Sequence, residues 1–318
     1  MFGICFIHAG TNGYYGENSE NANSFVIHFK YMLAVSVDIF AFISGWFGVT
    51  FRLNKFLKII GLSLFCGIVS FLISHYFFYC APLNFKVLIH YCATNWYFVG
   101  YLILMLVSPL INAGLERFKS ENLKNFLLPF ILLCIWQFAS SVVSQNSATG
   151  LGRDYFSRFS FVTIVNIYII GRLCKKSDFL KKIKTWLLVL IALICACFTA
   201  FPPFHFYTSP FCVIEAICIF ELFRRIKIPF WLGKVSVFLA PSMFSILLLH
   251  REIDFCKAIF FPLEGEILGS LNPFFSVFIA ALILFTVCLF IDLIRRFLLF
   301  IFYKCYTNLK EKKLERNG

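Results

Sequence analysis

A few polar residues stand out in an otherwise apolar chain, and their types suggest chemistry. His8 ends an apolar run, Met1 to His8. Histidine is costly in hydrocarbon and titrates near neutral pH, so it can take a proton from an attacking hydroxyl and return it to a leaving group. Alternatively it caps a helix end or touches water. His250 ends a second apolar run, and His90 precedes Trp96. Asp38 lies within SVDIFAFISG; it could orient an imidazole, reach water or pair with Lys30. Ser44 and Gly45 close an aromatic run that also holds Phe40, Phe42 and Trp46. Small residues there let a helix or a ligand approach closely. Arg52, Lys55 and Lys58 recur within one helix face. They could hold phosphates, with Arg giving a bidentate contact, or simply mark the cytoplasmic side of a span. Glu215 falls within a span, as a functional acid or paired with a buried donor. Asp292 beside Arg295 and Arg296 reads as an interfacial pair.

The elements that must position these residues are membrane helices. Of 318 residues, 60% are hydrophobic and only 14% charged, with a mean hydropathy of +0.83. Soluble domains carry roughly 45–50% apolar and about 25% charged residues. A surface this apolar suits lipid, so the expected fold is an all-α, polytopic transmembrane helical bundle. Apolar runs place spans near 32–51, 56–80, 96–114, 125–143, 160–173, 185–201, 209–223, 235–250 and 272–294. The stub at 1–9 makes about ten, with the first only partly present. At about 1.5 Å per residue that stub covers only about 14 Å. Residues 1–303 are expected to form one integral domain, and 304–318 a basic cytoplasmic tail lying against anionic headgroups.

The net charge of +13 raises the possibility of nucleic acid, but its distribution gives a topological explanation. The 29 Lys and Arg residues fall on alternate connections, except for Lys30, Lys86, Arg153, Arg158, Arg251 and Lys257. The rich set marks the cytoplasm, which puts the C-terminus inside and His8 and His250 near the outer face. No nucleic-acid partner is expected. The 13 cysteines lie mostly in apolar runs without metal-ligand spacing, so they read as buried thiols, and no metal site is expected.

The order of these segments resembles the acyltransferase-3 family of bacterial inner-membrane O-acyltransferases, especially members that decorate surface polysaccharides. ICFIHAG (Ile4–Gly10) resembles the histidine end of that family's first span. SVDIFAFISGWF (Ser36–Phe47) resembles its second span, and RLNKFLKII (Arg52–Ile60) the basic turn into the third. NWYFVGYLILMLVSPLIN (Asn95–Asn112) resembles the tryptophan-led fourth span. IYIIGRL (Ile167–Leu173) and the stretch from Trp231 to His250 resemble later ones. The resemblance implies transfer of an acyl group, usually acetyl, from acyl-CoA to a hydroxyl of a cell-surface carbohydrate. It assigns the catalytic role to His8 and donor binding to Arg52 and Lys55. Asp38, Ser44, Trp96 and His250 are candidates for support. No bound cofactor is implied; acyl-CoA is a co-substrate, and the expected partners are membrane lipids and the carbohydrate acceptor. The implied location is the bacterial inner membrane.

Two departures stand against the family pattern. The arginine about ten residues upstream of the family's histidine would fall before Met1, so a truncated first span is expected, from a late start or a decayed gene. The family's Tyr-Leu-Ile-His is Leu247-Leu248-Leu249-His250 here. The rival readings are a multi-span transporter or flippase of a lipid-linked sugar, and an inactive remnant.

Overall fold

The computed structural model describes residues 1–9, 24–76, 82–93, 95–117, 123–146, 161–250 and 272–317. Among them the structure is helical and contains no strand. In chain order the helices are α1 (Phe2–His8), α2 (Ser24–Met32), α3 (Val35–Phe47), α4 (Leu53–Tyr76), α5 (Phe85–Ala93) and α6 (Trp96–Glu116). They continue with α7 (Leu123–Asn146), α8 (Phe161–Ser177), α9 (Thr185–Thr199), α10 (Pro210–Arg225), α11 (Phe230–Leu239), α12 (Met243–Leu249) and α13 (Pro273–Asn317).

Among the described residues five stretches, against the about ten expected, are long and apolar enough to cross a membrane: Ser24–Phe47, Leu53–Tyr76, Trp96–Glu116, Phe230–Leu249 and Pro273–Asn308. This is a multi-pass membrane protein. The nine full spans read from the sequence all overlap helices, but 32–51 takes in the end of α2, all of α3 and the coil after it, 235–250 is divided between α11 and α12, and α8, α9 and α10 have only 17, 15 and 16 residues. They are shorter than the roughly 20 residues that cross a hydrocarbon core unaided. The sequence reading placed a loop where α5 lies. It also ended the last span at 294, whereas α13 runs without a break to Asn317.

Local chemistry explains several helix starts. Asn95 Oδ1 accepts from the N–H groups of Tyr97 (3.0 Å) and Phe98 (3.1 Å), capping α6. Ser209 caps α10 through the N–H of Phe211, with Pro210 in the first turn, where its missing N–H costs nothing. Glycines then set the closest helix contact. A Cβ on Gly45 would collide with the Tyr168 carbonyl, and one on Gly171 would come 2.6 Å from the Phe42 carbonyl oxygen. α3 and α8 therefore touch backbone to backbone, as small residues permit in membrane bundles.

Among the described residues the core has two large apolar clusters and a small third one around Phe71 and Tyr91. One gathers Phe6, Ile246, Leu249, Val277 and Leu284 from α1, α12 and α13; the other gathers Ile4, Phe42, Leu104, Ile167 and Tyr168 from α1, α3, α6 and α8. Short as it is, α1 bridges both. Phe6 is fully buried and meets Phe29 and Phe274 at ring distances of 5.2 and 5.9 Å. Gly3 faces Leu33 and Ser36. α1 thus runs antiparallel to the α2–α3 pair.

Candidate active site

The two histidines at the ends of separate apolar runs meet. The rings of His8 and His250 lie edge to face, with centroids 4.9 Å apart and an interplanar angle of 78°. His250 is fully buried, and its Nδ1 lies 2.5 Å from the Ile246 carbonyl oxygen. A carbonyl can only accept, so Nδ1 carries the proton, and in the neutral ring Nε2 carries the lone pair. The helix bearing His250 is itself anchored. Ser245 Oγ donates to Asp292 Oδ1 on α13 at 2.5 Å, and Arg295 donates to the same carboxylate from Nε (2.8 Å). The sequence suggested an interfacial pair at Asp292. Its carboxylate is instead fully buried, and it fixes α12 against α13.

Asp38 is not brought to these rings. From the contact of Gly3 with Ser36 and the helical rise, Asp38 sits about 10 Å further along the bundle than His8. Its side chain is 1% exposed, and neither oxygen has a hydrogen-bond partner among the described residues. Lys30, the alternative partner, lies over the Tyr31 ring at 5.4 Å. Ser44 is deeper still and donates to the Phe40 carbonyl (3.0 Å). Trp96 opens α6, stacked on Tyr207 with centroids 5.8 Å apart. Glu215 accepts from Thr199 Oγ1 at 3.1 Å. His90 is exposed on α5, apart from the pair.

Arg52 and Lys55 lie at the other end of the bundle, both exposed at the start of α4. By the same rise, about 25 Å separates this end from the histidines. The turn that delivers Arg52 is rigid. Tyr168 Oη accepts from the N–H of Val49 (3.1 Å) and donates to Asn112 Oδ1 (2.9 Å); Asn112 Nδ2 donates to the Val49 carbonyl (3.0 Å). The three bonds close a ring across α6, α8 and the residue after Gly48. Gly48 has φ 82°, in the region that favours glycine, and a Cβ there would come 2.8 Å from Arg172 Nη1. Arg172 makes no hydrogen bond or ion pair among the described residues. Nearby, Arg224 and Arg225 are spent on Glu221, each through Nε at 2.8 Å. The unspent charges of Arg52, Lys55 and Arg172, beside the N–H groups opening α4, make this end suited to a phosphate.

The sequence reading missed Asn112, Tyr168, Gly48 and Arg172. Asn112, Tyr168 and Arg172 lie inside motifs it quoted, NWYFVGYLILMLVSPLIN and IYIIGRL, but pairings 56 to 119 residues apart leave no local pattern.

The described residues thus form two separated groups, one of paired imidazoles and one of cations. No curated protein and no solved structure matches the chain. The acyltransferase-domain family model does match, over residues 1–293. The chain belongs to the acyltransferase-3 family, and the fold described above is that of a membrane acyltransferase.

Proposed function

We propose that this protein is an O-acyltransferase that moves an acyl group, acetyl in the simplest case, from acyl-CoA to a hydroxyl of a cell-surface carbohydrate. His8 takes the proton from the acceptor hydroxyl as its oxygen attacks the thioester carbonyl carbon. The tetrahedral intermediate collapses with cleavage of the C–S bond. The thiolate leaves and receives the proton back from the His8 imidazolium, so the histidine ends the cycle neutral. His250, with Nδ1–H fixed on a carbonyl, presents its Nε2 lone pair to share that proton.

The donor's phosphates are assigned to Arg52 and Lys55, with the arginine end facing the cytoplasm in keeping with the loop charges. The thioester then reaches the histidine end through the interior of the bundle. Ser44 and Trp96 are assigned to the packing of the bundle and the path of the thioester.

The observation that carries this reading is the His8–His250 pair, set in the core of an acyltransferase-family chain. The test is the purified protein in lipid nanodiscs, supplied with acetyl-CoA and de-O-acetylated surface glycan from a deletion strain. The expected result is free CoA release matched by ester formation on the glycan, lost in His8→Ala. Turnover unchanged in that variant would overturn the role of His8. Transport of a lipid-linked sugar without any CoA release would overturn the whole reading.

A further inference from the structure

Away from both ends, one layer of the bundle holds a set of buried polar atoms that the acyl-transfer reading does not use. Asp38 Oδ1 and Oδ2 (α3), Tyr97 Oη (α6), Gln137 Oε1 and Nε2 (α7), and Thr163 Oγ1 and Asn166 Oδ1 (α8) are buried and lack a hydrogen-bond partner among the described residues. Each of the five residues is at most 4% exposed.

Helical register places Asp38, Gln137 and Thr163 near one level, with Tyr97 and Asn166 about a turn to either side. α3 and α8 run side by side with Gly45 on Tyr168, so one to two turns back along each lie Asp38 and Thr163. α6 joins through Gly100, whose virtual Cβ would sit 2.6 Å from Ile164. Asn166 Nδ2 donates to the Phe130 carbonyl (3.2 Å) and to Cys134 Sγ (3.0 Å), which docks α7. Gln137 is one turn from Cys134 and Thr163 one turn from Asn166, so each shares its neighbour's helix face. The Asn166 amide protons are spent on those two bonds, which leaves Oδ1 as an acceptor. Asp38 lies close enough to Tyr97, Cys134 and Glu215 to interact electrostatically with each.

Two features set the chemistry of an occupant. Six of the seven atoms are oxygens, and oxygens are the ligands of hard cations. The acids also lack a counter-charge. Neither Asp38 nor Glu215 is in an ion pair among the described residues, and a buried unpaired carboxylate is among the costliest groups in a protein. A single proton on Asp38 would remove the charge but leave the other oxygens unmet. One small cation would draw them together and neutralise the acid.

We propose that the layer formed by Asp38, Tyr97, Gln137, Thr163 and Asn166 binds an alkali-metal cation, sodium or potassium, that holds α3, α6, α7 and α8 together. This assignment is independent of the acyl-transfer reading.

The test is the thermal midpoint of the full chain in nanodiscs, titrated with sodium chloride, potassium chloride or choline chloride at equal ionic strength and fixed pH. The expected result is a saturable rise of about 3–5 °C in one alkali salt over choline, and the salt that gives it identifies the ion. Asp38→Asn should abolish the rise. Should that variant fail to fold, Thr163→Val and Asn166→Leu each remove one oxygen and should weaken the apparent affinity severalfold. Equal midpoints in all three salts would overturn the proposal. So would a rise that Thr163→Val and Asn166→Leu leave untouched, or a midpoint that follows pH and ignores the cation.

Discussion

At the histidine end, His250 is bonded to the Ile246 carbonyl of its own helix and meets the His8 ring edge to face. At the arginine end, three hydrogen bonds close a ring through Val49, Asn112 and Tyr168, and a glycine is shaped around Arg172. The first arrangement brings two titratable rings together from helices far apart in the chain. The second fixes a turn before any ligand arrives, which reduces the cost of ordering it on binding. Under the proposed function the contrast suits a division of labour: a preformed turn for the constant part of a donor, and paired imidazoles where bonds are made and broken.

The sharpest way to break this comparison is at His8. His8→Ala should lower kcat by about 10²–10⁴, the range for loss of a general base. Donor affinity should hold, because the arginine end lies about 25 Å away by helical rise. Isothermal titration with CoA beside a turnover assay checks both halves. A loss of CoA binding in this variant would mean that the two ends are not separate.

Next in size is the rigid turn. Tyr168→Phe removes the hydroxyl that serves both Val49 and Asn112. Leaving those groups unmet costs about 1–3 kcal/mol, and the turn should loosen. The expected result is a donor KM about tenfold higher with kcat nearly unchanged, the reverse of the His8 pattern. A fall in kcat at constant KM would show that the turn does more than hold the donor.

Between the ends, Gly45→Ala tests whether the α3–α8 contact keeps them in register. The added methyl collides with a backbone carbonyl, and overpacking of this kind typically costs about 1–3 kcal/mol. The thermal midpoint should fall by roughly 5 °C, and both kinetic constants should worsen together. A variant as stable as the parent would show that the helices can separate at no cost.

The fold was more legible in the sequence than the site. Apolar runs of helical length and alternating basic loops mark most helices because lipid imposes a single, strong rule on every span. That rule blurs where helices are shielded from lipid. α8 and α10 carry Asn166, Arg172, Glu215 and Glu221 and are short, and α5, at nine residues, is far too short to read as a span. His8 and His250 could be picked out as polar residues closing apolar runs, but not their contact, which joins residues far apart in the chain. Asp38 reads from sequence as a possible partner of an imidazole because a carboxylate inside a span wants a partner. The antiparallel course of α1 against α3 carries it about 10 Å away instead. Asp292 looked superficial because its arginines are charged, and its burial depends on Ser245 of another helix.

The smallest expected effect separates the cations of the arginine end from one another. Arg52 leads directly from the fixed turn, and a guanidinium can grip a phosphate with two parallel bonds. Lys55 lies a turn into α4, exposed, with a compact charge on a flexible stem. Its contribution is largely long-range, and such attraction between exposed charges is screened within about 10 Å at 0.1 M salt. Lys55→Ala should therefore raise the donor KM only about twofold at moderate ionic strength, and less as salt is added. Arg52→Lys, which keeps the charge but loses the fork, should cost more than this and persist in high salt. If the lysine variant proved the more damaging, the phosphate would have to sit over the first turn of α4, and the rigid turn would be supporting a helix end in place of an arginine.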